Sequence, residues 1–406
     1  MINSKLQLSI ISAALLVSPL AIAAPDKAGM TLWLDASAGS TILFTKKDCT
    51  VPSSATANAV KCWKDKSGKN NHVTLAPNIL EPALLSAVSN GMSAVSFSNT
   101  ALVTSEKGQI KDSYTKFVVF KINDEGGSKD ANKLAKHNLI GSDPYQTTLW
   151  ADNGMLHSSH DKGITNYLDS TTKLGTTKFH VAATRYSKPD KKVLPNILKL
   201  DGKEEDRNYD KADHQAARTS IGGVGSQGNG DSYFYLNGDI AEAIIYDRSL
   251  SDIEVNEVEK YLAEKWSLTL GQNIYFEKPK DWELQQGEIQ LHAFASSGLP
   301  VSYSSTTTTI CDISKDKTDF ITLKKVGKCT VKATSKAEAP YATAANATQS
   351  FNIKTNGSGN GGGGTGGPDN GGESSGGGES SGGGTPLPLG LAALGLLALI
   401  RRKLAL

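Results

Sequence analysis

The chain has 406 residues, of which 43 are basic and 41 acidic, for a formal net charge of +2. So even a balance gives no strong electrostatic pull toward nucleic acid, and no nucleic-acid partner is expected. Its 40 glycines overstate the loop content of the folded part, because many sit in one stretch near the C-terminus.

Lys5 precedes an apolar segment from Leu6 to Leu20, and Ala21-Ile22-Ala23 follows. Charged, apolar and small-residue regions in that order mark residues 1–23 as a secretory signal peptide. The cut is placed after Ala23, because cutting after Ala24 would leave Pro25 just past the scissile bond. An uncleaved N-terminal anchor is the alternative; the run is short for it. Setting both ends aside leaves roughly 360 residues, enough for two domains plus a tether.

Cys49, Cys62, Cys311 and Cys329 fall in two sequence-local pairs. In an oxidising compartment such pairs read as disulfides, Cys49–Cys62 and Cys311–Cys329. Each closes a loop of roughly 15–20 residues, worth about 3 kcal/mol in the chain-entropy model. A zinc site is the rival, but there is no Cys-x-x-Cys and no neighbouring His pair.

Residues 28–270 show short strands divided by Gly, Asn, Asp and Ser turns, the pattern of an all-β sandwich. Met30 to Leu34 alternates, and Phe117 to Ile122 is a near-continuous apolar run expected to be a central strand. Phe179 to Tyr186 and Ile197 to Leu200 follow. Asp201-Gly202 after the latter is a type I′ hairpin signal. Asn237-Gly238 is expected to join Tyr233–Leu236 to Asp239–Tyr246 in a second hairpin. Ser251 and Glu254 form a capping box, and Val255, Val258 and Leu262 recur at helical spacing up to Trp266. That helix is expected to pack on the sandwich and close the domain.

Three segments carry a resemblance. They are Leu32-Trp33-Leu34-Asp35-Ala36, the run Trp63-x-Asp65-x-Ser67-Gly68-x-x-Asn71-His72, and Gly238-Asp239-Ile240-Ala241-Glu242 through Tyr246-Asp247-Arg248 to the Ser251 helix. Together they resemble the concanavalin A-like, laminin G-type domains of bacterial surface proteins, which implies a jelly-roll sandwich. That fold serves adhesive, glycan-binding and catalytic modules alike, so function does not follow from it.

Glycoside hydrolases of this architecture set two carboxylates on one face of a strand, which needs even spacing. Asp239 and Glu242 are three apart and are expected on opposite faces, and no Glu-x-Asp-x-Glu run occurs. The chain is therefore expected not to be an enzyme. Glu242 reads as a solvated or structural residue, with a lone functional acid as the alternative. Gly223-Val-Gly225-Ser-Gln-Gly228 spells a dinucleotide fingerprint without a helix behind it, and so reads as a loop. His157, His160 and Asp161 read as a polar loop tip. Trp33 and Trp63 lie in alternating strands and are assigned to the core, with sugar stacking as the alternative.

Laminin G-type modules often hold calcium on loop oxygens, and the resemblance implies a calcium ion here. Asp65, Asn70 and Asn71 share one turn-rich segment and are its candidate ligands, with Asp35 and Asp231 in other loops. The same residues also read as an ordinary Asx-turn.

Residues 272–355 have no helical periodicity. Ile289/Leu291, Val301/Tyr303, Cys329/Val331/Ala333 and Phe351/Ile353 alternate, so each strand can bury one face. Ser297 to Ser304, Cys311, and Gly327 to Ala333 resemble bacterial immunoglobulin-like repeats, in which paired cysteines staple neighbouring strands. The resemblance implies a spacer. No aromatic or charged cluster in it asks for a ligand.

Residues 356–385 are a Gly-rich tether that cannot bury enough apolar surface to order itself. Residues 386–406 hold an apolar run from Leu389 to Ile400, about 12–14 residues and short of a comfortable span, then Arg401-Arg402-Lys403. This tail resembles the GlyGly-CTERM sorting segment of Gram-negative bacteria. It implies transient inner-membrane attachment, removal by a rhombosortase-type protease, and exit by type II secretion. A plain membrane anchor is the alternative.

The sequence thus describes an exported protein of the cell surface or medium that recognises a glycan or a matrix or host protein through its first sandwich. A polysaccharide-active enzyme of the same fold and a purely structural envelope protein are the alternatives.

Overall fold

The computed structural model describes residues 22–355 except 38–41, 43–48, 50–58, 77–80, 111, 127–136, 144–145, 162–166, 189–193, 213 and 224–234. Residues 1–21 of the expected signal peptide, the expected tether (356–385) and the expected sorting segment (386–406) lie outside the described residues, as does most of the Gly223–Gly228 stretch. The described residues all fall in one compact unit.

In chain order the strands are β1 (Met30–Asp35), β2 (Cys62–Trp63), β3 (Val73–Leu75), β4 (Ala83–Ser89) and β5 (Met92–Phe97). Then come β6 (Leu102–Lys107), β7 (Tyr114–Ile122), β8 (His137–Asp143), β9 (Leu149–Asp152) and β10 (Met155–Ser159). β11 (Tyr167–Asp169), β12 (His180–Tyr186), β13 (Asn196–Leu200), β14 (Lys203–Asn208), β15 (Arg218–Ile221) and β16 (Gly238–Tyr246) complete the sandwich. One sheet runs β14-β13-β12-β7-β16-β5-β4, with β1 also paired to β16; the other runs β11-β10-β9-β8-β15-β6-β3-β2.

Leu32, Leu34, Val118, Phe120, Ile240 and Ile245 of the first sheet meet Leu102, Ile140, Leu149, Leu156 and Ile221 of the second in one apolar cluster. The first sheet's other face is covered by helix α1 (Asp252–Trp266), where Phe117, Val119, Val181 and Ile244 pack on Val255, Val258, Leu262 and Trp266. Strands β7, β12 and β16 are therefore buried on both faces, which is why their sequences run apolar without strict alternation. Ser251 and Glu254 cap α1 reciprocally, as their spacing predicts.

The β13–β14 hairpin turns on Asp201 and Gly202, at φ of 47° and 78°. A Cβ on Gly202 would come within 2.8 Å of the Gly271 carbonyl, so this turn needs glycine for space as well as for conformation. Of the second expected hairpin, Tyr233 and Phe234 lie outside the described residues. Gly238 opens β16, which pairs with β7, β5 and β1, while Leu236 reaches back to the Gly222 carbonyl. Asn237-Gly238 thus leads into a central strand of the first sheet.

Beyond α1 come β17 (Ile274–Phe276), β18 (Trp282–Glu283), β19 (Glu288–Gln290), β20 (Ala293–Ala295) and β21 (Ser302–Ser305). They are followed by β22 (Cys311–Ile313), β23 (Phe320–Leu323), β24 (Gly327–Thr334) and β25 (Ala347–Lys354). Sheets β18-β25-β24-β21 and β19-β23-β22 enclose a separate core of Ile289, Leu291, Ile321, Val331 and Phe351, and β17 pairs with β20 beside it. Both disulfides form, with Cα separations of 5.6 Å for Cys49–Cys62 and 5.7 Å for Cys311–Cys329. The second corrects the expected staple: Cys311 lies on β22 and Cys329 on β24, so the bridge joins two sheets and not neighbouring strands.

The two cores touch through a hydrogen-bonded seam. Leu270 pairs with Tyr341, whose ring joins the cluster beneath α1, and Gln272 donates to the Ala342 carbonyl at 2.7 Å.

Candidate functional site

The motifs of the sequence converge on the helix side of the first sheet. Glu242 is wholly buried and accepts from the indoles of Trp33 and Trp266, each at 2.7 Å, from Tyr261 at 3.0 Å and from Lys265 at 2.7 Å. Lys265 also reaches Asp35 at 2.8 Å, and Lys66 binds the other Asp35 oxygen at 2.5 Å. Burial, and then neighbouring Asp35, push the Glu242 carboxyl up. Burial acts on Asp35 in the same direction, but Lys265 and Lys66 outweigh it and hold that carboxyl down at about 2. Glu242 is thus a structural acceptor at the meeting point of β1, β16 and α1.

The register between β16 and β7 shifts between Ile240 and Glu242. An extra residue in a strand reverses which way the following side chains point. Asp239, bound to Lys121 at 3.0 Å, and Glu242 therefore share the helix-side face. The expectation of opposite faces is corrected.

Asp65 sits at a second hub. Its Oδ1 accepts the backbone N–H of Trp33 and of Ser67, each at 2.8 Å, and its Oδ2 accepts the Ser67 hydroxyl at 2.7 Å and the Asn71 N–H at 3.0 Å. Asn71 in turn donates to the Thr31 carbonyl at 2.7 Å and accepts from Gln109 at 3.3 Å. Asn70 adopts φ of 58°, the left-handed turn that Asn tolerates. Asp65, Asn70 and Asn71, the candidate calcium ligands, thus share one hydrogen-bonded turn. The Asp65 oxygens are spent on donors that lock the loop to β1, which is Asx-turn chemistry. Among the described residues, no group of three or more His, Cys, Asp and Glu side chains could hold a metal ion.

Trp33 and Trp63 are both buried in the core. The histidines differ from expectation, for they occupy no loop tip. His157 lies on β10, stacked on cross-strand Trp150 with centroids 5.1 Å apart. His160 is buried between the sheets, its Nδ1 2.7 Å from the Tyr114 hydroxyl. Ala23 and Ala24 precede the first tethered residue, Asp26, whose carbonyl accepts the Tyr246 hydroxyl at 2.8 Å.

One cleft that sequence reading missed combines an exposed aromatic side chain with several hydrogen-bonding groups. A cleft of about 460 Å³ runs between β13, β14 and the start of α1 on one side and the β17–β20 pair on the other. Such a volume is within the range of small-molecule sites. Ile274 and Phe276 turn into the core of residues 272–355, which leaves Tyr275 facing out, directly opposite Phe294 in the strand register. Their rings stack at 5.0 Å and 27°, with Phe294 63% exposed. Across the cleft stand Ile253, Asp252, Asn256, Lys199, Glu204 and Arg207. Arg207 grips Glu204 through Nε and, at 2.6 Å, Nη2. Asp252 is held at 2.7 Å by Arg185, itself buried and bound to the Leu250 carbonyl at 2.8 Å. Burial, and then Glu204, raise the Tyr275 hydroxyl above its ordinary range, so it stays protonated. The signal was present in the alternation of Ile274-Tyr275-Phe276 and Ala293-Phe294-Ala295, which sets both rings away from the core.

No protein-family model matches the chain. No curated protein matches it either. Among solved structures it is similar to a Trypanosoma rangeli sialidase in complex with 2,3-difluoro-KDN, at 14% identity and a TM-score of 0.39, over 59% of this chain and 33% of that one. It is also similar to the receptor-binding domain of botulinum neurotoxin C/D mosaic serotype, at 12% and 0.36, over 77% and 72%. A third is the binding domain of Paraclostridial Mosquitocidal Protein 1, at 10% and 0.39, over 77% and 72%. The chain spans about a third of the sialidase's length. Likenesses this low assign no family, ligand or activity.

The expectation that the chain is not an enzyme is corrected, because the register shift in β16 removes the spacing argument on which it rested. The similar solved structures include sialidases as well as binding domains.

Proposed function

We propose that this protein is exported and binds a glycan in the cleft between the start of α1 and the β17–β20 pair. The observation that carries the reading is the exposed Phe294 ring, stacked on half-buried Tyr275, opposite a row of hydrogen-bonding side chains. An exposed aromatic ring costs free energy in water unless something covers it, and sugar rings present both C–H faces for stacking and hydroxyls for Asp252, Glu204 and Arg207.

Two disulfides suit an oxidising compartment, in keeping with the signal peptide read over residues 1–23. In this account residues 28–270 form a concanavalin A-like, laminin G-type head and residues 272–355 an immunoglobulin-like spacer. The spacer's first strands then build half of the site. Residues 356–385 act as tether, and residues 386–406 as a GlyGly-CTERM segment removed by a rhombosortase-type protease before type II secretion from a Gram-negative cell.

A glycan array probed with the exported protein tests the binding reading: retention of one or more glycans, reduced by Phe294→Ala, is expected. Binding to matrix or host protein with no glycan signal would replace it. Intact-mass analysis tests the export reading, which requires a mature N-terminus at Ala24 and loss of the segment after roughly residue 385. Secreted material still ending at Leu406 would refute that processing.

A further inference from the structure

Resting on the glycan-binding reading, we infer that the cleft takes a neutral saccharide, one pyranose ring lying on the open face of Phe294, and rejects acidic sugars. The argument is one of charge already spent. The ionised side chains lining the cleft are Lys199 and Arg207 against Glu204 and Asp252, so the lining carries no net charge. Each has a partner in place. Arg207 forms a fork with Glu204, Asp252 is held by buried Arg185, and Lys199 binds both buried Glu259 and the Asn256 side-chain oxygen, the latter at 2.7 Å. An acidic sugar would find every cation of the lining already neutralised by a carboxylate, and would meet Glu204 and Asp252 as like charges with no uncompensated cation to offset them. A neutral sugar meets no such repulsion. Its hydroxyls can donate to Asp252, whose side chain is 68% exposed, and accept from the guanidinium edge that Glu204 does not occupy.

The apolar side is equally specific. Tyr275 backs Phe294 and fixes its plane, and Ile253, 53% exposed, flanks the opening. The loop below is pinned before any ligand arrives. Ser296 N–H donates to the Asn273 carbonyl at 2.8 Å, Gly298 N–H to the Ala295 carbonyl at 2.9 Å, and Asn256 to the Ser296 carbonyl. A site already rigid loses little further entropy on binding. The head and the 272–355 segment each supply one wall, so neither wall alone makes the site.

The test is calorimetric titration of the exported full protein with cellobiose, lactose, maltose and chitobiose, and in parallel with 3′-sialyllactose and digalacturonate. At least one neutral sugar should bind. Phe294→Ala should weaken it by about tenfold, equivalent to ~1.4 kcal/mol, while leaving the melting curve in place because the ring is largely exposed. Arg207→Gln should not make the protein lose a preference for acidic sugars, since none is expected. Preferential binding of an acidic sugar, abolished by Arg207→Gln, would overturn the inference and leave the glycan reading standing. Neutral binding indifferent to Phe294→Ala would overturn the site. If no sugar of either class binds, or if Phe294→Ala converts a dimer to a monomer in light scattering, the glycan reading fails with it.

Discussion

Trp33 and Glu242 lie 209 residues apart in sequence, and the indole N–H of the first donates to the buried carboxylate of the second at 2.7 Å. Trp266, Tyr261 and Lys265 complete the ring of donors, so one side chain ties the first strand, the last strand and the helix of the sandwich together.

Removing that acceptor strands four donors in a dry site. Glu242→Ala should lower unfolding stability by about 3–5 kcal/mol, the range for breaking a buried ionic contact. Glu242→Gln, which keeps one acceptor oxygen, should cost less. Denaturant unfolding of the three proteins gives the order, and equal stabilities would contradict the role assigned to Glu242.

Asp65 provides a separate test of structure against metal. Its four accepted hydrogen bonds predict that Asp65→Ala loses on the order of 2–4 kcal/mol, because the loop N–H groups it satisfies would be left buried. The loss should be the same in millimolar calcium and in chelator. A melting temperature that rises with calcium in the parent and not in Asp65→Ala would place a calcium ion at Asp65.

The interior between the sheets should sense pH. Burial, then Lys116 and His214, bring His160 down to about 3 from an ordinary value near 6.5. The unfolded chain therefore binds the extra proton between those values and the folded one does not. Stability contributed by neutral His160 is complete above about 6.5 and is lost as pH falls toward 3. Lys116, brought down by burial to about 7, has the same sign at higher pH: stability rises between about 7 and its unfolded value. Melting curves from pH 7 to pH 5 should fall less steeply in His160→Gln than in the parent. Parallel slopes would show that His160 does not titrate on unfolding.

The sequence was most legible where local signals and burial agreed. The capping box at Ser251 and Glu254, the apolar run of β7 and the Asp201-Gly202 turn all appear where their patterns placed them. The Trp33, Asp65 and Glu242 motifs marked real constraints, but their meaning was structural. Nothing local says that Asp65 spends its oxygens on the Trp33 and Asn71 N–H groups and not on an ion. The register shift at Ala241 was invisible because strand periodicity assumes an unbroken ladder, and one extra residue moved Glu242 to the other face. His160 was misplaced because polar residues beside Gly and Asp look like a turn, whereas Tyr114 supplies the partner that permits burial. The cleft was missed because Tyr275 and Phe294 become neighbours only through pairing of β17 with β20, and meet Arg207 and Asp252 only when the two cores are joined.

The most direct test of glycan binding in this cleft is hydroxyl-radical footprinting of the exported protein with and without the best-retained glycan. Phe294 should be strongly oxidised in the free protein and half-buried Tyr275 less so, both protected when the glycan is bound, with the Trp150, His157 and Tyr167 cluster on the opposite sheet unchanged. Protection at that cluster, with Tyr275 and Phe294 oxidised as before, would contradict the account and move the site to the other sheet.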